Sequence, residues 1–254
     1  EDANLYYEIG LIYTNAGVYD LALQNLLKVV DLEPNYENAN NLIGYNYDTY
    51  LSQYEKAIEY YTKEVEITPD AAHVYRNIAI VYSYYLDDNE KALINYTKAI
   101  EVDPENSTNY EKRGNFYQDF LGDNEKALTD YNKGLEVDPE DASLYYEIGY
   151  MHAISGEYDL ALQNFLKVVE LEPNYENIYN YIGVIYKKHI KDYEKAIEYY
   201  TKEIEIAPDA DYVYRNIAFI YAENLDDNEK ALINFTKAIE ADPEYSFNYE
   251  ARGD

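Results

Sequence analysis

Prolines fall at Pro34, Pro69, Pro104, Pro139, Pro173, Pro208 and Pro243, at intervals of 35, 35, 35, 34, 35 and 35 residues. A fixed period in this range marks one supersecondary unit stacked many times, and it excludes most single-core folds at once. Alanines keep the same beat twelve residues before each proline, at Ala22, Ala57, Ala92, Ala127, Ala161, Ala196 and Ala231. About ten residues after the first six prolines a small residue recurs, at Gly44, Ala79, Gly114, Gly149, Gly183 and Ala218, and Gly10 heads the series.

Each unit reads as two helices. In the fifth, Tyr145, Ile148, Gly149 and His152 lie at i, i+3, i+4 and i+7, followed by Ala161, Phe165 and Val168 at i, i+4 and i+7. The small residue lets two backbones approach closely, and the aromatic fills the space beside it. Stretches such as DDNEKAL place Asp or Asn where free N–H groups need capping. The proline then stops each second helix. One helix pair cannot bury its apolar stripe alone, so stacked neighbours must supply the core. Composition agrees: 254 residues are 47% apolar but hold only 10 Gly and 7 Pro, too few turn-formers for a many-stranded β protein.

These residues resemble the tetratricopeptide repeat family, whose pattern of aromatic, Leu-like, Gly or Ala, Tyr, Ala, aromatic, Ala and Pro is met here by Tyr145, Ile148, Gly149, His152, Ala161, Phe165, Val168 and Pro173. Seven repeats match, over residues 3–36, 37–71, 72–106, 107–141, 142–175, 176–210 and 211–245, and an eighth begins in 246–254. The chain begins without Met and stops inside the pattern, so it is expected to be a piece of a longer array. The resemblance implies an all-α solenoid of helix–turn–helix repeats, wound as a right-handed superhelix and read as a single array over 1–254. There are departures. Tyr replaces the family's Trp in six repeats, while Asn40 and Arg113 break apolar places and five of the seven repeats carry one extra residue near the inter-helix turn.

A longer period of 139 residues is superimposed: residues 1–115 and 140–254 share 79 identities. Second helices are nearly identical in the two copies. Differences gather in the later half of the first helices and the turn beyond, as in residues 11–16 against 150–155 and 48–53 against 187–192. In the family the first helices line a concave ligand-binding surface. By register that surface would carry Tyr7 and Leu11, Asn38, Asn41 and Tyr45, Arg76 and Ile80, and Glu111 and Asn115 in the first copy. In the second it would carry Tyr146 and Tyr150, Asn177, Asn180 and Val184, and Arg215 and Phe219. Two readings of the copy differences stand: drift, or two related groove segments with different side-chain preferences.

Arg76 and Arg215, each in YRNIA, have two readings as well. Either grips a ligand carboxylate or carbonyl, or each pairs with Glu64 or Glu203, which stand where the family wants a small residue. The family's set for clamping a terminal carboxylate is met only in part, by Arg76, Asn77 and Lys112. The 35 tyrosines are read as mostly core, with Tyr7, Tyr45, Tyr146, Tyr150 and Tyr212 on the groove.

No catalytic residue, metal site or cofactor is expected. His73, His152 and His189 occupy unrelated places, with His152 read as a core residue, and no HExxH pair or nucleophile motif accompanies them. A balance of 20 basic to 50 acidic residues gives a formal charge of −30, which disfavours nucleic acid and anionic membrane surfaces. No apolar run spans a bilayer. The absence of cysteine tips the location toward the cytoplasm. The expected function is a protein-interaction scaffold holding a peptide or partner segment along the groove. The alternatives are a structural array that self-associates through its ends, or the regulatory array of a larger protein.

Overall fold

The structure, a computed structural model, describes residues 2–253. Among these residues it is an all-α repeat solenoid, with every regular element helical. The chain separates into two compact units, Glu1–Pro139 and Glu140–Asp254. In unit 1, helices α1 (Ala3–Asn15), α3 (Ala39–Tyr45), α5 (Ala72–Tyr84) and α7 (Ser107–Asp119) are the first helices of four repeats. Their partners are α2 (Tyr19–Leu32), α4 (Tyr54–Ile67), α6 (Asn89–Val102) and α8 (Asn124–Val137). Unit 2 runs α9 (Ala142–Ile154), α10 (Tyr158–Leu171), α11 (Ile178–Ile185), α12 (Tyr193–Ile206), α13 (Asp211–Glu223), α14 (Asn228–Ala241) and α15 (Ser246–Arg252).

The periodic small residues do what their spacing requires. All seven alanines at the second-helix position are buried. Opposite them the first-helix glycines leave no room for a side chain: a Cβ on Gly44, Gly149 or Gly183 would stand 2.7 Å from the ring of Tyr61, Phe165 or Tyr200. Tyr61, Tyr96, Tyr131, Tyr179 and Tyr200 are buried, and most other tyrosines are half-buried, many packed against the core clusters. Most tyrosines therefore belong to the core, as their recurrence at packing positions predicts. A phenol keeps its polar end wet unless a partner waits inside.

Helix starts follow the capping chemistry. Asp88, Asp123, Asp192 and Asp227 accept from the backbone N–H three residues on, at 3.0–3.1 Å. Where a repeat carries the extra residue, it is absorbed at the end of the first helix. In the short repeats Val18 and Glu157 close the turn onto the carbonyl five residues back. In the long ones Gln53, Asp88, Asp123, Asp192 and Asp227 reach six back. After α3 and α11 this widening becomes a π-helical turn, over Asn46–Tyr50 and Tyr186–Ile190.

The second and sixth repeats also start their first helices late. Asn38 and Asn177 sit just ahead of α3 and α11 in the left-handed region, at φ 67° and 61°, which Asn tolerates better than most residues. The freed N–H groups need acceptors. Glu64 takes the N–H of Asn38 at 2.7 Å and of Asn41 at 3.2 Å. Glu203 takes the N–H of Asn180 at 3.1 Å. Both carboxylates are buried, and burial lifts that of Glu203 above its ordinary range against the pull of these N–H groups.

That is the reason Glu stands where the family wants a small residue, and it corrects the pairing with arginine. Neither Glu64–Arg76 nor Glu203–Arg215 forms. The two apolar-place departures differ. Asn40 is buried beside Leu27 and Tyr60, whereas Arg113 finds Asp130, which accepts from its Nε and Nη2 at 2.7 Å each.

Candidate interaction groove

The first helices of unit 1 carry a chain of side-chain hydrogen bonds from repeat to repeat. Asn38 Nδ2 donates to the Tyr7 hydroxyl at 3.0 Å, Asn41 Nδ2 to Asn38 Oδ1 at 2.8 Å, and Asn77 Nδ2 to Asn41 Oδ1 at 3.1 Å. Next to Asn77 along the helix, Arg76 makes a separate link by donating to Asn109. Asn109 is buried, and its own amide donates to the carbonyls of Ala99 and Asp103 at 3.1 and 2.7 Å, tying the end of α6 to α7. Burial lowers the affinity of the Arg76 guanidinium for its proton without discharging it.

Unit 2 repeats part of this chain. Asn216 Nδ2 donates to Asn180 Oδ1 at 3.4 Å. Arg215 donates to Asn248 Oδ1 at 2.7 Å and pairs with Asp211, with its guanidinium 4.8 Å from the Tyr245 ring centroid. Here the hydroxyl of Tyr212 donates to Asn177. Tyr146 stacks along Tyr150 and meets Tyr181 edge-on, and its hydroxyl is pushed up by burial and by a hydrogen bond to Tyr181.

The sixteen residues expected on the groove therefore divide. Tyr7, Asn38 and Asn41 are brought together, as are Asn177 with Tyr212 and Asn180 with Asn216. Tyr45 is exposed at 38% and lies edge-on to Tyr50. Asn115 accepts from the buried Tyr131 hydroxyl at 2.8 Å, so its carbonyl is engaged internally. Glu111 pairs with Lys112 at 2.9 Å. Ile80, Val184 and Phe219 are half-buried against the cores of their repeats, and Leu11 is half-buried.

Reading the sequence missed Asn109 and Asn248. The signal was there: NYE recurs in the same register, its Asn one residue before the family's aromatic place. His152 is half-buried and hydrogen-bonds the exposed Glu157 at 2.7 Å, so it is not the core residue expected.

The tetratricopeptide repeat model matches residues 3–36, 37–70, 72–106, 177–210 and 212–245, and a second model described as TPR repeat matches 121–154 and 149–189. The chain belongs to the tetratricopeptide repeat family. Members of this family are generally non-catalytic, and protein-interaction scaffold is the class of function that the repeats support. No curated protein matches the chain. Among solved structures it is similar to YrrB, described as a tetratricopeptide repeat protein with an unusual peptide-binding site, at 27% identity over 77% of this chain and 98% of that one, with TM-score 0.58. It is similar to MamA at 26% identity, over 68% and 92% of the two chains, with TM-score 0.55. The C-terminal part of a repeat protein from Cytophaga hutchinsonii shares the fold at 20% identity, over 96% and 98%, with TM-score 0.74. Among the described residues of the tetratricopeptide array, no helix is long and apolar enough to cross a membrane.

Proposed function

We propose that this tetratricopeptide array is a non-catalytic scaffold that holds an extended peptide segment of a partner along its first helices. One observation carries the reading. Amide and hydroxyl groups of successive first helices form a continuous half-buried row from Tyr7 through Asn38, Asn41 and Asn77 in unit 1. Asn180 and Asn216 repeat its last step in unit 2. Side-chain amides offer both donors and acceptors, which is what an extended peptide backbone needs. Half-buried apolar and aromatic groups, Leu11, Ile80, Tyr150, Val184 and Phe219, lie on the same helices and supply contact area. YrrB, similar in sequence and structure, is described as having a peptide-binding site.

Selection of a displayed random-peptide library on the full chain tests this, beside a variant carrying Asn41→Ala, Tyr45→Ala, Asn180→Ala and Phe219→Ala. Peptides retained by the first and lost from the second, with both melting cooperatively, are the expected result. Equal retention by the two, or selection of no peptide at all, would overturn the reading.

A further inference from the structure

A cavity of about 830 Å3 opens in unit 1 where α3 and α5 begin. Tyr7, Tyr36, Asn38, Thr68 and His73 line it. The rings of Tyr7 and Tyr36 pair at 5.1 Å and 32°. Glu33, Glu37 and Asp70 stand exposed around the opening, and no Lys or Arg lines it. None of these three carboxylates has a side-chain ion pair among the described residues. Desolvation and nearby Arg76 push the His73 imidazole below its ordinary range, against the pull of Glu64.

Unit 2 shows what such a place accommodates. At the counterpart of His73 stands Tyr212, whose hydroxyl donates to Asn177, the counterpart of Asn38. Glu203 and Glu176, the counterparts of Glu64 and Glu37, act on that hydroxyl. A flat group ending in a hydrogen-bond donor thus occupies in unit 2 what unit 1 leaves open.

We propose that the unit 1 cavity takes an arginine side chain from the partner segment, its guanidinium lying against the Tyr7–Tyr36 pair and donating to the carboxylates of the opening. This rests on the peptide-binding reading above. Arginine is flat like the tyrosine of unit 2, stacks on aromatic faces and carries donors along its edge. It also brings the positive charge that three unpaired carboxylates call for. Lysine has the charge without the plane, and tyrosine the plane without the charge.

The test is titration of the full chain with acetyl-Gly-Arg-Gly-amide, followed by saturation-transfer NMR, beside the lysine and citrulline tripeptides. The arginine tripeptide should bind about tenfold or more tighter than the uncharged citrulline one. His73→Tyr, which installs the unit 2 residue in a framework that already accepts it, should abolish the difference. The exposed pair Glu37→Gln and Asp70→Asn should weaken arginine binding several-fold and leave the melting temperature unchanged. Equal binding of the citrulline tripeptide, undiminished binding to His73→Tyr, or no binding of the arginine tripeptide would each overturn the assignment. If library peptides are still retained by the wild type and lost from the Asn41 and Tyr45 variant, the peptide-binding reading survives that failure; if they are not, both fall.

Discussion

Units 1 and 2 use one packing frame for different interiors. In unit 1 the buried Tyr61 hydroxyl donates to Asp48 at 2.5 Å. In unit 2 the equivalent Tyr200 hydroxyl is buried without a partner among the described residues, because Lys187 stands at the place of Asp48 and its Nζ lies 5.6 Å from the Phe219 ring centroid. Likewise Asn38 is engaged by Tyr7 and Asn41 in unit 1, whereas Asn177 is engaged by Tyr212. Every one of these changes lies on a first helix or its turn. The packed faces of both helices meet neighbours on two sides, whereas positions 48 and 73 and their counterparts lie at a turn or an open edge, where a change disturbs less.

The largest expected effect distinguishes the units. Asp130→Ala leaves Arg113 half-buried with its bidentate partner gone, which should cost about 3–5 kcal/mol. Calorimetry should show a transition assigned to unit 1 moving down while that of unit 2 holds. A single transition moving as one would break the description of two separately responding units.

Next come the paired helix-start carboxylates. Glu64→Ala and Glu203→Ala each leave backbone N–H groups unmet, at about 1–3 kcal/mol in urea unfolding. A loss in one unit only would break their equivalence. The Glu203 carboxyl is raised in the folded chain. Its contribution is therefore fullest below the ordinary carboxylate range and declines as pH rises through the raised value. Glu203→Gln should remove that decline, read as a flatter stability profile in urea unfolding between acidic and neutral pH.

The two buried tyrosines should then respond with opposite sign. Tyr61→Phe removes a hydrogen bond to a carboxylate and should cost about 1 kcal/mol. Tyr200→Phe removes an unmet hydroxyl and should cost nothing or stabilise, as thermal melts of the two variants will show.

The smallest effect is at a helix start. Gln53 makes no side-chain cap ahead of α4, while Asp192 caps α12. Gln53→Asp should raise stability by about 0.5–1 kcal/mol, measurable as a rise in the urea midpoint.

The sequence reading was sound where the physics is local or periodic. Helix pairs, buried alanines, glycines facing rings and Asp caps all follow from spacing, because each depends on residues within one repeat. It failed at Glu64 and Glu203. Assigning them to arginine assumed that first helices begin alike in every repeat, but Asn38 and Asn177 delay two of them and create N–H groups that no spacing reveals. The groove was legible as a set of positions and not as a network. Which of several amides meets which depends on distances across repeats, and Asn109 entered only through its contact with Arg76.

The wider turn governs how freely such a chain can be cut and rejoined. Since the added residue is spent where the chain reverses, the packed face of a repeat keeps its phase whether the repeat counts 34 or 35 residues. Long and short repeats are then interchangeable parts, and a recombination event that keeps whole repeats leaves each junction matched to its neighbour. The 139-residue duplication, one short repeat and three long ones copied together, is what that interchangeability permits.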